Sequence, residues 1–293
     1  MLAITKAAEK GVIMEPYLVF SDIDGTLVID HQIVTPFTKR VIRELQQRDV
    51  IFYIATGRMY NLGKVIARQI NDDARIIASN GAVFENEQGS VQHHLGHAAL
   101  KAAYEITQSD LRLSAHFFTT DAAYYTREIP RFVARDAGNL TSMGAEINYD
   151  SVADLDSLLA MSDQIINGII VCQGTLALLA SVKQRLGEQD VMSLSSSGPD
   201  NIELIPKGID KATAIRQIQT LHGIDADHTF VFGDGQNDLG MLQAAKYSVA
   251  MGNALPEVKA VANYVTESNV NDGVAKFLQK HFELSLSDSE VGL

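Results

Sequence analysis

Several apolar runs of strand length in this chain stop abruptly at small polar or acidic residues followed by glycine, and this repeated ending constrains the fold most. Tyr17-Leu18-Val19-Phe20 runs into Ser21-Asp22-Ile23-Asp24-Gly25-Thr26, and Val50 to Ala55 runs into Thr56-Gly57-Arg58. Arg75 to Ser79 closes at Asn80-Gly81, and Thr229 to Phe232 closes at Gly233-Asp234-Gly235-Gln236-Asn237-Asp238. Continuous apolar runs, rather than alternating ones, belong to strands covered on both faces, as in a parallel sheet. Helical stretches separate the runs. One opens at Thr35-Pro36, a cap residue followed by proline, and carries Phe37, Val41, Ile42 and Leu45 on one face. The order β-α-β-α-β predicts an α/β fold with a doubly wound, Rossmann-like parallel sheet. In such sheets ligands bind beyond the carboxyl ends of the strands, where these polar endings collect.

The character changes from about Glu85. A helical stretch from Ala98 to Ser109 precedes two strand-like runs, Leu111 to Thr119 and Ala122 to Arg127, that read as a hairpin. Further helix and strand signals follow, up to a Ser/Gly/Pro-rich exit at Ser195 to Asp200. The expected division is a core of residues 1–85 and 200–293 with an inserted α+β domain at 86–199. The tail beyond Glu283 reads as frayed.

The endings carry chemistry. Residues two apart in an extended segment project from one face, so Asp22 and Asp24 are expected to point together out of the sheet edge. Adjacent carboxylates repel unless a cation or a shared proton holds them, and a hard divalent ion such as Mg²⁺ suits them. An acidic turn in solvent is the lesser, competing reading of the motif taken alone. Thr56 with Gly57, Lys211, and Asp234 with Asn237 and Asp238 all fall at turns on core elements. Together they form a charge-balanced set able to hold a phosphoryl group.

Those residues resemble the ordered motifs of the haloacid dehalogenase superfamily, and the insertion is similar to the type IIB cap of its Cof-like phosphatases. The resemblance runs from Tyr17 to about Leu278. It implies a Mg²⁺-dependent phosphomonoester hydrolase for small phosphorylated metabolites, sugar phosphates first, working through an aspartyl-phosphate. It implies Asp22 as nucleophile and Asp24 as general acid and base. The Ile23 and Gly57 N–H groups, Thr56, Asn237 and Lys211 would hold the phosphoryl group. Asp22, Asp24 through its backbone carbonyl, Asp234 and Asp238 would make the metal site. Ala212 follows Lys211 where the family often has glycine, and Lys207-Gly208 offers a second lysine; Lys211 is preferred for its place at the helix entry. A phosphomutase sharing the aspartyl-phosphate, or a metabolite-binding protein without turnover, are the competing readings.

Composition narrows the partners. Twenty-four basic against 36 acidic residues give a net charge of −12, which disfavours nucleic acid and anionic membranes. With a single cysteine, Cys172, no intrachain disulfide forms, and a cytoplasmic location is expected. Met1 to Met14 lack the apolar core of a signal peptide. Cys172 reads as a small buried hydrophobe, and His93, His94 and His97 as solvated surface rather than a zinc site. Gly233-Asp234-Gly235 does not fit a dinucleotide fingerprint. Oligomeric state has no signature in the sequence.

Overall fold

A computed structural model describes residues 16–127, 147–196 and 200–286. The amino-terminal stretch read for a leader, residues 197–199 of the expected exit linker and the end of the tail lie outside them.

The first sheet has eight strands. β1 (Tyr17–Ser21), β2 (Val50–Ala55), β3 (Arg75–Ala78), β4 (Val83–Asn86) and β5 (Gly89–Gln92) come early in the chain. β12 (Thr229–Gly233), β13 (Tyr247–Ala250) and β14 (Tyr264–Val265) come late. The spatial order is β14-β13-β12-β1-β2-β3-β4-β5. Pairing is parallel from β14 through β3, with Leu18 opposite both Ile51 and Thr229. The β3–β4 and β4–β5 pairs are antiparallel, so a hairpin not anticipated from sequence extends one edge. Leu18, Val19, Phe20, Phe230, Val231 and Phe232 are all fully buried, as continuous apolar runs require. The helix Pro36–Gln46 is capped by the Thr35 hydroxyl, which accepts from the Thr38 N–H at 3.1 Å, and it buries Phe37, Val41, Ile42 and Leu45.

The second sheet has six strands: β6 (Leu113–Phe118), β7 (Ala122–Tyr125), β8 (Asn148–Ser151), β9 (Asn167–Cys172), β10 (Met192–Ser195) and β11 (Asn201–Pro206). Their order is β10-β11-β9-β6-β7-β8, and β6 and β7 form the anticipated hairpin with His116 opposite Tyr125. Phe117, Ile170, Ile202 and Leu204 share a core with Leu100 and Ile106 of the helix Gly96–Gln108 and Leu186 of the helix Leu176–Gln189. By strand alternation, Ser193, Ser195, Glu203 and Ile205 lie on the opposite face. β11 pairs with β10 and β9 inside this sheet. Sequence reading had given residues from 200 onward to the first sheet, but Ile202 and Leu204 fill the second core instead. Two smaller readings also change. Cys172 ends β9 half-buried, its Sγ accepting from the Gly174 N–H at 3.1 Å. His93 and His94 are half-buried where β5 meets the helix Gly96–Gln108. Among the described residues, no helix is long and apolar enough to cross a membrane.

Candidate active site

The chain runs outward from β1 to β2 and β3 on one side, and later from β12 to β13 and β14 on the other. The reversal lies between β1 and β12, and the cleft beyond their carboxyl ends is the natural ligand site. Asp22 stands there, its N–H donating to the Phe232 carbonyl at 3.0 Å. The next residues leave the extended form at once. The Ile23 carbonyl accepts from the N–H groups of Thr26, Leu27 and Val28, and Gly25 takes φ +76°.

That turn separates the two carboxylates expected to lie side by side. The Asp22 carboxylate goes inward, where Oδ1 accepts from Lys211 Nζ at 2.6 Å. The Asp24 carboxylate faces Arg58, whose Nε donates to Oδ2 at 2.9 Å and a terminal nitrogen to Oδ1 at 2.6 Å, with His31 Nδ1 at 3.1 Å. Alternation over two residues holds only while the backbone stays extended, and here it does not.

Lys211 joins segments far apart in sequence. Its ammonium also donates to Asp238 Oδ1 at 2.7 Å, and its side chain is 1% exposed. It opens the helix Lys211–His222, whose Asp210 cap accepts from the Thr213 N–H while the Thr213 hydroxyl accepts from the Asp210 N–H. Lys207, the alternative lysine, is exposed and pairs with Asp190 at 2.6 Å. Asp238 Oδ2 accepts from the N–H groups of Asp234 and Gly235, both at 3.0 Å, and so shapes the loop after β12. Asp234 Oδ1 accepts from the Thr26 hydroxyl at 2.8 Å. Oxygens of Asp22, Asp234 and Asp238 lie within 4.8 Å of one another. The structure gathers these three and leaves the Asp24 side chain out.

The remaining candidates border this group. The Thr56 hydroxyl accepts from the Arg58 N–H at 3.1 Å, which leaves its own proton free to donate. The Ile23 and Gly57 N–H groups donate to no backbone carbonyl among the described residues. Asn237 and Lys211 line a cavity of about 320 Å³ shared with Asn80 and with Ser193 and Ser195 of β10. Sequence reading did not single out a role for Arg58, Asn80, Glu203 or Asn253. Asn253 donates to the Gly25 carbonyl at 2.7 Å and fixes the turn from below. Their partners lie tens to hundreds of residues away, and no local spacing announces them.

Charge sets what the site can hold. Fully ionised, the three carboxylates would exceed the one ammonium by two charges, with Asp22 and Asp238 buried and Asp234 half-buried. Burial, opposed by Lys211 and reinforced by Asp238 and Asp234, pushes Asp22 up to about 8. Burial and the Asp238 charge push Asp234 up to about 6, against the Thr26 hydrogen bond. Lys211 is raised, because Asp22 and Asp238 outweigh its own burial. Burial also acts on Asp24, but the hydrogen bonds and charge of Arg58, with His31, outweigh it and hold that carboxyl below the usual range. An all-oxygen donor set with excess negative charge fits a hard divalent cation.

Two expected results follow. Without metal, the folded protein keeps protons on Asp22 and Asp234 that the unfolded chain has lost. This contribution to stability is present below the usual carboxylate range and disappears as pH rises through about 6 and then about 8. Added divalent cation should therefore raise the unfolding temperature more at about pH 8.5 than at about pH 5.5. An equal gain at both would count against a metal bound by these carboxylates. The second result concerns Gly25, where an added Cβ would collide with Asp234 Oδ2. Gly25→Ala should weaken cation binding by about tenfold or more, the usual scale for disturbing a ligand's support. Titration followed by thermal shift measures it.

Comparison with known proteins gives a consistent pattern. A family model described as haloacid dehalogenase-like hydrolase matches residues 19–278. The chain is 28% identical over 290 residues to the 5-amino-6-(5-phospho-D-ribitylamino)uracil phosphatase YitU of Bacillus subtilis, covering 92% of this chain and 99% of that protein. It is 29% identical over 272 residues to the phosphatase of the same description, YbjI, from Escherichia coli, covering 90% and 95%. A solved haloacid dehalogenase-like hydrolase from Bacteroides thetaiotaomicron superimposes with a TM-score of 0.78 at 25% identity, over 92% of this chain and all of that one. A solved subclass IIB sugar phosphatase shares the fold with a TM-score of 0.74 at 24% identity, over 91% and 99%.

Proposed function

This chain belongs to the haloacid dehalogenase-like hydrolases, and from that premise we propose a cytoplasmic, Mg²⁺-dependent phosphomonoester hydrolase acting through an aspartyl-phosphate on Asp22. The family and its phosphatase relatives make the chain a phosphatase of the Cof-like kind. The observation that carries the finer reading is the meeting of Asp22, Lys211, Asp234 and Asp238 at the reversal point of the sheet.

In this reading an oxygen of Asp22 attacks phosphorus while the bond to the leaving oxygen breaks, and Asp24 delivers a proton to that oxygen. Asp24, then a base, takes a proton from water, whose oxygen attacks the aspartyl-phosphate and releases inorganic phosphate with Asp22 restored. Asp24 begins as a carboxylate in the Arg58 pair, so that pair must open and Asp24 must take up a proton from solvent before it can act as the acid. Lys211, the Thr56 hydroxyl, the Ile23 and Gly57 N–H groups and Asn237 hold the phosphoryl oxygens. Asp22, Asp234, Asp238 and the Asp24 carbonyl would hold Mg²⁺, which when bound offsets the repulsion between carboxylate and phosphate. The six-stranded unit, drawn at 86–199 from sequence, begins after Gln92, because β5 pairs in the first sheet, and runs to Pro206 by strand pairing; it acts as a cap.

Substrates are small phosphorylated metabolites. Ribityl phosphates, named for the relatives, and sugar phosphates share a phosphorylated polyhydroxylated chain. Phosphate release from a panel of both, with Mg²⁺ and with EDTA, tests the reading. Release unaffected by EDTA would remove the metal. Isomer formation without phosphate would make the protein a mutase.

A further inference from the structure

The cavity of about 320 Å³ has the phosphoryl-holding residues as its floor and the second sheet as its roof. Its size suits a short carbon chain or a single ring rather than a dinucleotide. Among the described residues Lys211 is the one cation in its lining, and that ammonium is already engaged by Asp22 and Asp238. A second anionic group on a substrate would therefore meet no free positive charge from the described walls.

The polar groups where the two sheets meet at this cavity point the same way. Asn80, 4% exposed and at φ +54°, donates from Nδ2 to Glu203 Oε2 at 2.7 Å. A carboxylate accepts only, so Glu203 fixes the amide with Nδ2 toward itself. Asn80 Oδ1 is left buried with no hydrogen-bond partner among the described residues. The other Glu203 oxygen likewise takes no hydrogen bond from them. Ser195, in the cavity wall, is the cross-strand partner of Glu203, and Ser193 sits opposite Ile205. The Ser193 Oγ accepts from the Gly208 N–H at 3.0 Å and keeps its proton to donate. Acceptors and hydroxyls thus outnumber free donors here. Such a surface binds hydroxyl groups and repels carboxylates and phosphates.

We propose that Glu203, with Asn80 and Ser195, selects phosphomonoesters whose leaving group is a neutral polyol and turns away those carrying a second anion. This rests on the phosphomonoester-hydrolase reading. Glu203 acts through its charge and by holding the Asn80 amide in one orientation, so neutralising it should relax the choice.

The test compares glucitol 6-phosphate with 6-phosphogluconate, open chains that differ in a terminal hydroxymethyl against a carboxylate. Wild-type kcat/KM should favour the polyol ester by about tenfold or more, since a second anion beside the Glu203 carboxylate is a like-charge contact. Glu203→Gln should reduce that ratio by about fivefold or more, whatever happens to the absolute rates. Ser195→Lys, which sets a cation directly across the strand from Glu203, should shift the ratio the same way. A ratio unmoved in both variants, with unfolding temperatures near wild type, would overturn the proposal. If wild type released phosphate from neither ester nor from p-nitrophenyl phosphate, the hydrolase reading would fall first. Activity on p-nitrophenyl phosphate with no preference between the two esters would sink this proposal alone.

Discussion

Asp22→Asn should abolish phosphate release and, in the absence of metal, raise the unfolding temperature. A carboxamide keeps an oxygen for the Lys211 ammonium at the position where Asp22 accepts at 2.6 Å, so the local geometry survives. It cannot form the acyl phosphate. Loss of the nucleophile should lower kcat by about 10⁴-fold or more, the scale seen when a covalent catalyst loses its attacking group. Stability moves the opposite way because Asp22 is buried beside Asp234 and Asp238, and burial drives its carboxyl up to about 8. At neutral pH the folded chain must hold a proton on Asp22 that the unfolded chain releases, and a neutral amide removes that penalty. Phosphate release and thermal unfolding in EDTA read the two effects on one sample. Activity within tenfold of wild type would refute the role of Asp22, and a clear loss of stability would refute the electrostatic account.

Lys211→Met should be damaging on both counts. Methionine matches much of the lysine stem, but Asp22 and Asp238 lose the ammonium that bridges them, and both are buried. Removing one partner of a buried ion pair leaves a charge uncompensated and costs about 3–5 kcal/mol. Urea unfolding in EDTA should show a loss of that size, and added Mg²⁺ should recover part of it. Lys207→Met is the control. Its exposed pair with Asp190 contributes within about 1 kcal/mol, and turnover should persist. If Lys207→Met stopped turnover and Lys211→Met did not, the lysine would have been misassigned.

Sequence reading reached far where chemistry is local. The abrupt ends of Tyr17–Ser21, Val50–Ala55 and Thr229–Gly233 located the sheet edge, because both-face burial leaves an unmistakable apolar run. The cap at Thr35 and the capped start at Asp210 located helices, the latter carrying Lys211. It failed where distant partners decide. Nothing near Asp24 shows that Arg58 will take its carboxylate, because the turn at Ile23 and Gly25 redirects it. Val83–Asn86 and Gly89–Gln92 are too short to give a periodic signal and form strands by pairing at the sheet edge. Asn201–Pro206 has the same apolar pattern in either sheet, and only the packing of Ile202 and Leu204 assigns it. Glu203 is a polar residue without a motif of its own, and nothing at the Asn80-Gly81 ending shows that the two join across 123 positions.

The run from β11 into the helix Lys211–His222 has a mechanical consequence. Only residues 207–210 link Pro206, at the end of the roof, to the ammonium that steadies Asp22. Within that link Gly208 adopts φ +74° and its N–H is moored to the Ser193 hydroxyl. Any shift of the second sheet against the first is thereby carried to Lys211 through four residues, so the seating of the roof and the Lys211–Asp22 contact are coupled through the backbone.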